Sequence, residues 1–163
     1  MTNIQLQKVA IDPKYKDILV SRFVNNLMIN GKKYLAYNIF YDAMKIVKES
    51  KENFEKSELE IWKQALNNIM PHLELRSRRI GGSTFQIPTP IKVDRKVSLA
   101  MKWLIKCARN RNEKSMSAKL AAEIISAFKE EGAAVKKRIE THKMAEANKA
   151  FSHLNYGKES KIY

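Results

Sequence analysis

The stretch LRSRRIGGSTFQIPTPIK, Leu75 to Lys92, is the one part of this chain that cannot be helical. Its Gly81-Gly82 pair can form a tight two-residue turn. On both sides of the turn, apolar residues alternate with polar ones, as at Leu73, Leu75, Phe85 and Ile87. Two prolines near the end exclude the second strand from the interior of a larger sheet. The sequence therefore predicts a β-hairpin, a ribbon over residues 72–91.

Apolar residues recur at helical spacing before and after the ribbon. Ser57 and Glu60 form a capping-box signature, and Gly31 and Gly132 separate neighbouring helices. We expect helices over about residues 16–30, 33–50, 57–70, 94–109, 115–131 and 133–153. The prediction is a mainly α fold. It comprises a single domain of six helices over residues 1–156, with an extended arm over 1–14, the hairpin between the third and fourth helices, and a disordered tail over 157–163.

The charge of the chain points to a polyanionic partner. There are 31 basic and 17 acidic residues, a formal net charge of +14. The segment Arg76–Lys114 is the most basic part, with Asp94 and Glu113 as its only acids. Such an imbalance repels itself in a folded protein, and a bound nucleic acid would relieve that repulsion.

Other classes of function find little support. Gly31-Lys32-Lys33 and the GGST of the ribbon both lack the spacing of a phosphate-binding P-loop. The histidines lie far apart without metal-binding spacing, and Cys107, the single cysteine, has no base partner in view. No apolar run approaches the ~20 residues that span a bilayer. We predict a non-enzymatic protein with no metal, no cofactor and no membrane association, which stays in a reducing compartment.

The fourth helix, residues 94–109, carries the clearest binding pattern. At about 100° per residue, four basic side chains fall on one side, Arg95, Lys102, Lys106 and Arg109. The opposite side holds Val97, Met101, Leu104 and Ala108. One side is expected to pack, and the other to form a cationic stripe about 21 Å long at 1.5 Å per residue. A solvated outer face is the alternative, but such faces usually mix both signs of charge.

Arginine is concentrated on the ribbon in a chain that otherwise prefers lysine. Arg76, Arg78 and Arg79 occupy three of four positions. Guanidinium groups bind phosphate with two hydrogen bonds and stack on bases, which an ammonium cannot do. The alternative is an edge strand protected by charge, where lysine is more usual. A second basic patch is expected on the last helix, at Lys136-Lys137-Arg138 and Lys143.

Several blocks of the sequence resemble the bacterial-type small-subunit ribosomal protein seven family, along nearly the whole chain. They are Gly31-Lys32-Lys33, SRRIGGSTFQIP (Ser77–Pro88), SLAMKWLI (Ser98–Ile105), RNEKSM (Arg111–Met116) and THKMAEANKAFSH (Thr141–His153). Members of this family usually begin with several basic residues, whereas this chain has only Lys8 in its first thirteen.

The resemblance implies a helical fold with a protruding ribbon, and a structural constituent of the ribosome. It implies a primary binder of the 3′ major domain of 16S rRNA that nucleates assembly of the small-subunit head. The ribbon tip, Gly81, Gly82, Ser83 and Thr84, would lie near the exit-site tRNA and the mRNA exit channel. Protein partners would be small-subunit ribosomal proteins nine and eleven, with no homo-oligomer. The location would be the 30S subunit in the cytoplasm, with an organellar ribosome as the alternative.

Residue pattern and resemblance together give the residues that we expect to contact rRNA. These are Lys32, Lys33, Arg76, Arg78, Arg79, Arg95, Lys102, Lys106, Arg109, Arg111, Lys114, Lys136, Lys137, Arg138 and Lys143. The main rival is a helical DNA-binding protein that uses residues 94–109 as a recognition helix. That reading requires a short turn before the helix and base-reading side chains near its start. Two prolines and a lone Arg95 stand there instead. A purely structural interaction protein without RNA affinity is a third reading.

Overall fold

The computed structural model describes residues 11–50 and 56–155, and the fold is mainly α. Its elements are α1 Ile18–Leu27, α2 Lys33–Glu49, α3 Glu58–Ile69, β1 Leu73–Ile80, β2 Ser83–Pro90, α4 Val93–Arg109, α5 Met116–Phe128 and α6 Gly132–Ala147. A 3-10 helix, Lys149–Asn155, follows. The predicted fold class, six helices with one hairpin between the third and fourth, is confirmed.

The two predicted ends of the chain fall largely outside the described residues. The predicted tail, 157–163, lies wholly outside, as do residues 1–10 of the predicted arm. The described end of that arm is a turn rather than an extended segment. There Asp12 is buried, and its carboxylate accepts hydrogen bonds from the Tyr41 hydroxyl at 2.6 Å and from the Lys14 amide at 3.1 Å.

Three helices end earlier than the sequence predicts, each for a local reason. α1 stops at Leu27 because Met28 turns to ψ 138°. α5 stops at Phe128, before Glu130 takes a left-handed φ of 61°. The last helix is broken at Asn148, whose side-chain amide donates to the Met144 carbonyl at 2.8 Å. Such a bond competes with the backbone ladder, and the chain continues as a 3-10 helix.

The predicted capping box is present at the start of α3. The Glu60 amide donates to the Ser57 hydroxyl at 3.3 Å, and the Ser57 amide donates to the Glu60 carboxylate at 3.0 Å. Two amide donors at the helix start are thereby satisfied, which fixes where α3 begins.

α5 is the central helix of the core. It contacts α2, α3, α4 and α6. Beside it, the rings of Phe23, Phe40 and Trp62 meet pairwise with centroids 5.4–5.5 Å apart, and all three are fully buried. The buried core includes residues from all six helices, so the helices pack as one body.

The ribbon has the register that its turn predicts. Ile80 pairs with Ser83 across Gly81-Gly82, and Leu73 pairs with Pro90 at the base. Both glycines have positive φ, +56° and +89°, as the favoured two-residue hairpin turn requires. Each strand has a single partner, so the prolines of β2 remove no hydrogen bond from a larger sheet.

The ribbon is attached to the helical body at two places. Phe85 packs against Phe151 of the 3-10 helix with ring centroids 5.3 Å apart. The His72 amide donates to Nε2 of His142 on α6 at 3.0 Å, and the two rings stack. The pKa of His142 is lowered by its burial, and further by the nearby His72 and Arg138. The lowered pKa favours the neutral imidazole ring, which can accept the hydrogen bond from the His72 amide. Residues 76–84 are exposed. The ribbon is therefore anchored at His72 and at Phe85, and its tip is exposed.

Two glycines with positive φ give a matched test of packing. Gly132 has φ +89°, and a Cβ there would lie 3.0 Å from the Ser126 Cβ. Gly31 has φ +73° with nothing within 4 Å. We expect Gly31→Ala to cost about 1–2 kcal/mol from backbone strain alone. Gly132→Ala should cost about 1–3 kcal/mol more, from overpacking. Urea unfolding measures the free energy of unfolding of both variants. Equal losses of that free energy would show that α5 and α6 do not meet closely at Gly132.

Candidate nucleic-acid interface

The outer face of α4 is cationic, as the sequence predicts. Met101, Leu104 and Ala108 are buried and Val97 is half-buried. The four basic side chains of the predicted stripe, Arg95, Lys102, Lys106 and Arg109, are exposed. Arg109 also donates from Nη2 to the Leu27 carbonyl at 3.2 Å, which ties the end of α4 to the end of α1.

A carboxylate from the ribbon lies against this stripe. Glu74 of β1 accepts from Arg95 Nε at 2.8 Å and from Arg76 Nη2 at 2.6 Å. Its side chain is 12% exposed. Burial raises the pKa of Glu74, but the hydrogen bonds from Arg95 and Arg76 outweigh it, and the pKa is below its usual value. The residues of α4 beside the stripe include no acid except at the start of the helix. The fold nevertheless brings Glu74 of the ribbon against the stripe. One predicted RNA-binding arginine, Arg95, thus also holds the ribbon to α4, and a second, Arg76, is paired within its own strand.

The three ribbon arginines are exposed, but their surroundings differ. Arg78 pairs across the ribbon with Phe85, which packs inward on the 3-10 helix, and Arg79 pairs with Thr84 near the tip. Arg76 is held by Glu74. The tip residues Gly81–Thr84 are all exposed. Arg79 therefore lies beside the exposed tip, Arg78 lies opposite the Phe85 that packs on the 3-10 helix, and Arg76 lies nearer the base.

The basic run on α6 divides between packing and solvent. Lys136 and Lys143 are exposed. Lys137 is half-buried, with its Nζ 5.4 Å from the Trp103 ring centroid, a cation–π contact. Arg138 is half-buried and donates from Nη1 to the Asn68 carbonyl at 2.6 Å. The exposed lysines of α6 therefore lie on a helix that contacts both β1 and α4.

Arg111 belongs to a buried ion-pair network. It donates from Nη1 to Glu123 at 2.7 Å and from Nε to Glu113 at 2.9 Å. Glu123 is fully buried and also accepts from the Ala134 amide at 2.9 Å. The bond to Glu123 raises the pKa of Arg111, although burial acts the other way. This arrangement joins the α4–α5 loop, α5 and the start of α6, so Arg111 has a structural task beside any contact with RNA.

The remaining predicted contacts lie on two turns. Lys32 and Lys33 are exposed between α1 and α2, and the Lys33 ammonium lies 5.9 Å from the Tyr37 ring centroid. Lys114 is exposed on the loop before α5. In all, twelve of the fifteen predicted cations are exposed, and Arg111, Lys137 and Arg138 are half-buried. We call the exposed basic side chains of α4, the ribbon and α6 the cationic surface. Its members are Arg76, Arg78, Arg79, Arg95, Lys102, Lys106, Arg109, Lys136 and Lys143.

Sites of other kinds are not evident in residues 11–50 and 56–155. These ranges hold no group of three or more His, Cys, Asp or Glu side chains that could bind a metal ion. No helix within them combines the length and apolar character needed to cross a bilayer. Cys107 is half-buried, and burial followed by the charge of Glu123 raises the pKa of its thiol, which disfavours the nucleophilic thiolate.

The structure adds two features that the sequence interpretation missed. One is Glu74, which a strand pattern could have indicated, since it precedes Arg76 by two residues and so shares its face. The other is a recess of about 380 Å³ between α1 and α4, lined by Asn26, Lys102, Ile105, Lys106, Arg109 and Asn110. No signal in the sequence connects Asn26 with residues some eighty positions later.

Comparison with known proteins identifies the family to which the chain belongs. The family model described as Ribosomal protein S7p/S5e matches residues 2–149. The chain belongs to the ribosomal protein S7p/S5e family. It is therefore a structural, non-catalytic constituent of the ribosome, and the predicted absence of enzymatic activity is confirmed by this membership.

Bacterial members of the S7p/S5e family are similar over most of their length. The "Small ribosomal subunit protein uS7" of Christiangramia forsetii is 67% identical over 145 residues, 89% of this chain and 92% of its own. That of Flavobacterium johnsoniae is 65% identical over the same shares. That of Porphyromonas gingivalis is 54% identical over 92% of this chain and 95% of its own. These relatives place the chain in the bacterial 30S subunit in the cytoplasm.

The Glu74 ion pairs predict a specific pH dependence. Because the folded pKa of Glu74 is lowered, its stabilisation is full above the unfolded value of about 4.3. It is lost as the pH falls through the folded pKa. We expect Glu74→Gln to lower the free energy of unfolding at pH 7 by about 1 kcal/mol. On acidification the variant should lose less stability than the parent protein does.

Urea unfolding at pH 7 and pH 3 measures this difference. Glu140→Gln, which removes one carboxylate from an exposed position of α6, is the matched control for the change in charge. Parallel pH profiles for Glu74→Gln and the parent protein would show that Glu74 does not join the ribbon to α4 in solution.

Proposed function

We propose that this chain binds the 3′ major domain of 16S rRNA as a primary binding protein and nucleates assembly of the small-subunit head. The cationic surface supplies the contacts to phosphate. Membership of the ribosomal protein family supports RNA as the polyanion, and the net charge of +14 supports an extensive contact.

The observation that carries this proposal is the position of the exposed cations on three contacting elements. α4 contacts α6, α6 contacts β1, and Glu74 joins β1 to α4. Lys102, Lys106 and Arg109 lie three or four residues apart, so they follow one side of α4 and can meet successive phosphates. A rigid helical surface of this kind suits recognition of RNA shape and unpaired junctions.

Duplex DNA binding through α4 is the second candidate function, and the structure gives it less support. A recognition helix reads bases near its N-terminal end. Arg95, the only suitable reader there, is engaged by Glu74. Its guanidinium would have to leave that carboxylate to reach a base. Competition between duplex DNA and a folded rRNA fragment tests the two readings, and stronger retention on the duplex would reverse the order.

The ribbon tip extends the proposal to the ligands of the assembled subunit. Its residues Gly81–Thr84 are exposed at the end of the ribbon, which supports a place near the exit-site tRNA and the mRNA exit channel. Small-subunit ribosomal proteins nine and eleven are the proposed protein neighbours. We propose no homo-oligomer.

Salt dependence of RNA binding tests the α4 stripe. If about eight cations displace counterions, log Kobs should fall with log salt with a slope of roughly −6. Lys102→Ala with Lys106→Ala should reduce the magnitude of that slope by about 1.4–1.8, since each contact contributes about 0.7–0.9. Filter binding to a folded fragment of the 3′ major domain, titrated at several salt concentrations, measures it.

A second pair of lysines serves as the control. Lys45 and Lys48 are exposed on α2, outside the cationic surface. Replacing both with alanine removes the same charge and should leave the slope unchanged. If both pairs lower it equally, the RNA does not select α4, and binding is a general effect of net charge.

Shortening the ribbon separates the tip from the rRNA contacts. Removing the facing pairs Arg79–Thr84 and Ile80–Ser83 keeps the Gly81-Gly82 turn and the alternation of the ladder. Binding to the rRNA fragment should match that of Arg79→Ala alone, while retention of exit-site tRNA by reconstituted subunits should change. If the shortened variant binds the rRNA fragment much more weakly than Arg79→Ala does, the tip itself contacts the rRNA.

A further inference from the structure

The recess between α1 and α4 combines features that phosphate binding does not need. Its volume is about 380 Å³, within the range of about 300–1,000 Å³ for small-molecule sites. Ile105, only 4% exposed, forms an apolar floor. Lys102, Lys106 and Arg109 line the same recess as Asn26 and Asn110. Phosphate oxygens only accept hydrogen bonds, so an apolar floor and an amide oxygen offer contacts that a base, rather than a phosphate, can use.

The amide of Asn26 is fixed in a way that leaves its oxygen available. Nδ2 donates to the Arg22 carbonyl at 2.8 Å within α1 and lies 4.0 Å from the Met101 sulfur of α4. Within the described part of the chain, no donor hydrogen-bonds to Oδ1 of Asn26. Because an amide oxygen repels phosphate and accepts from N–H groups, it favours a ligand that carries a donor.

We propose that this recess binds one unpaired nucleotide, whose base carries an amino group, and that it is a base-reading site within the rRNA contact. The base lies on Ile105 and donates to Oδ1 of Asn26, and the adjoining phosphates lie on Lys102, Lys106 and Arg109. Sequence-specific RNA recognition uses such extruded bases, because the edges of paired bases in an A-form helix are poorly accessible. This inference rests on the proposed function, and it adds recognition of a base to the binding of phosphates.

Chemical probing of the bound rRNA fragment tests the recess. Dimethyl sulfate and kethoxal report the Watson–Crick edges of adenine, cytosine and guanine, and hydroxyl radicals report the backbone. We expect the parent protein to protect one unpaired base that Asn26→Ala leaves reactive, with the backbone footprint of the two proteins unchanged. Loss of one hydrogen bond should weaken binding by about two- to tenfold.

Asn25→Ala is the matched control. Asn25 is exposed, neighbours Asn26 on α1, and does not line the recess. Both substitutions introduce the best helix former, so neither endangers folding. Asn25→Ala should keep the base protection and the affinity of the parent protein.

The outcomes distinguish the base-reading site from the proposed rRNA binding as a whole. If the parent protein and Asn26→Ala bind and protect the same bases equally, the recess does not read a base, and the proposed rRNA binding stands. If the two variants lose protection of the same base to the same degree, the effect belongs to α1 in general and the recess is again excluded. Failure of the parent protein to bind the fragment overturns the proposed function, and this inference with it.

Discussion

The ion pairs of Glu74 are the constraint on which the functional surface depends. A two-stranded ribbon with no other strand beside it has little stability of its own. Glu74 joins it to α4 through Arg95 and to its own strand through Arg76, while Phe85 and His72 attach it to the 3-10 helix and α6. With the ribbon held by these contacts, its arginines have a defined position relative to the α4 lysines. A rigid arrangement binds with less loss of entropy than a mobile one.

The basic side chains of this protein therefore have two roles, structural and functional, which the net charge alone does not distinguish. Arg111 is directed to the buried carboxylate of Glu123, where an unpaired charge would be costly, and Arg138 donates to a backbone carbonyl. These contacts organise the packing around α5. Lys102, Lys106, Lys136 and Lys143 remain exposed and supply the long-range attraction to phosphate.

Much of the fold could be predicted from local signals. Helical spacing, the Ser57–Glu60 capping box and the Gly81-Gly82 turn each act within a few residues, and the structure has all three. The errors lie at helix ends, such as Asn148, where a side-chain hydrogen bond to the backbone decides between two similar conformations. The packed and cationic sides of α4 were predicted correctly, because a helix fixes the directions of its own side chains.

The sequence by itself determined the helices, the projecting ribbon, the sign and concentration of the charge, and the resemblance to a ribosomal family. Only the tertiary structure decided which cations are committed to internal partners and which face outward. It also placed Asn26 beside Lys102 and Lys106, and Glu74 beside Arg95. The physical reason is the range of the forces. Helix and turn preferences act between neighbours in the chain, whereas ion pairs and recesses form between residues that only packing brings together.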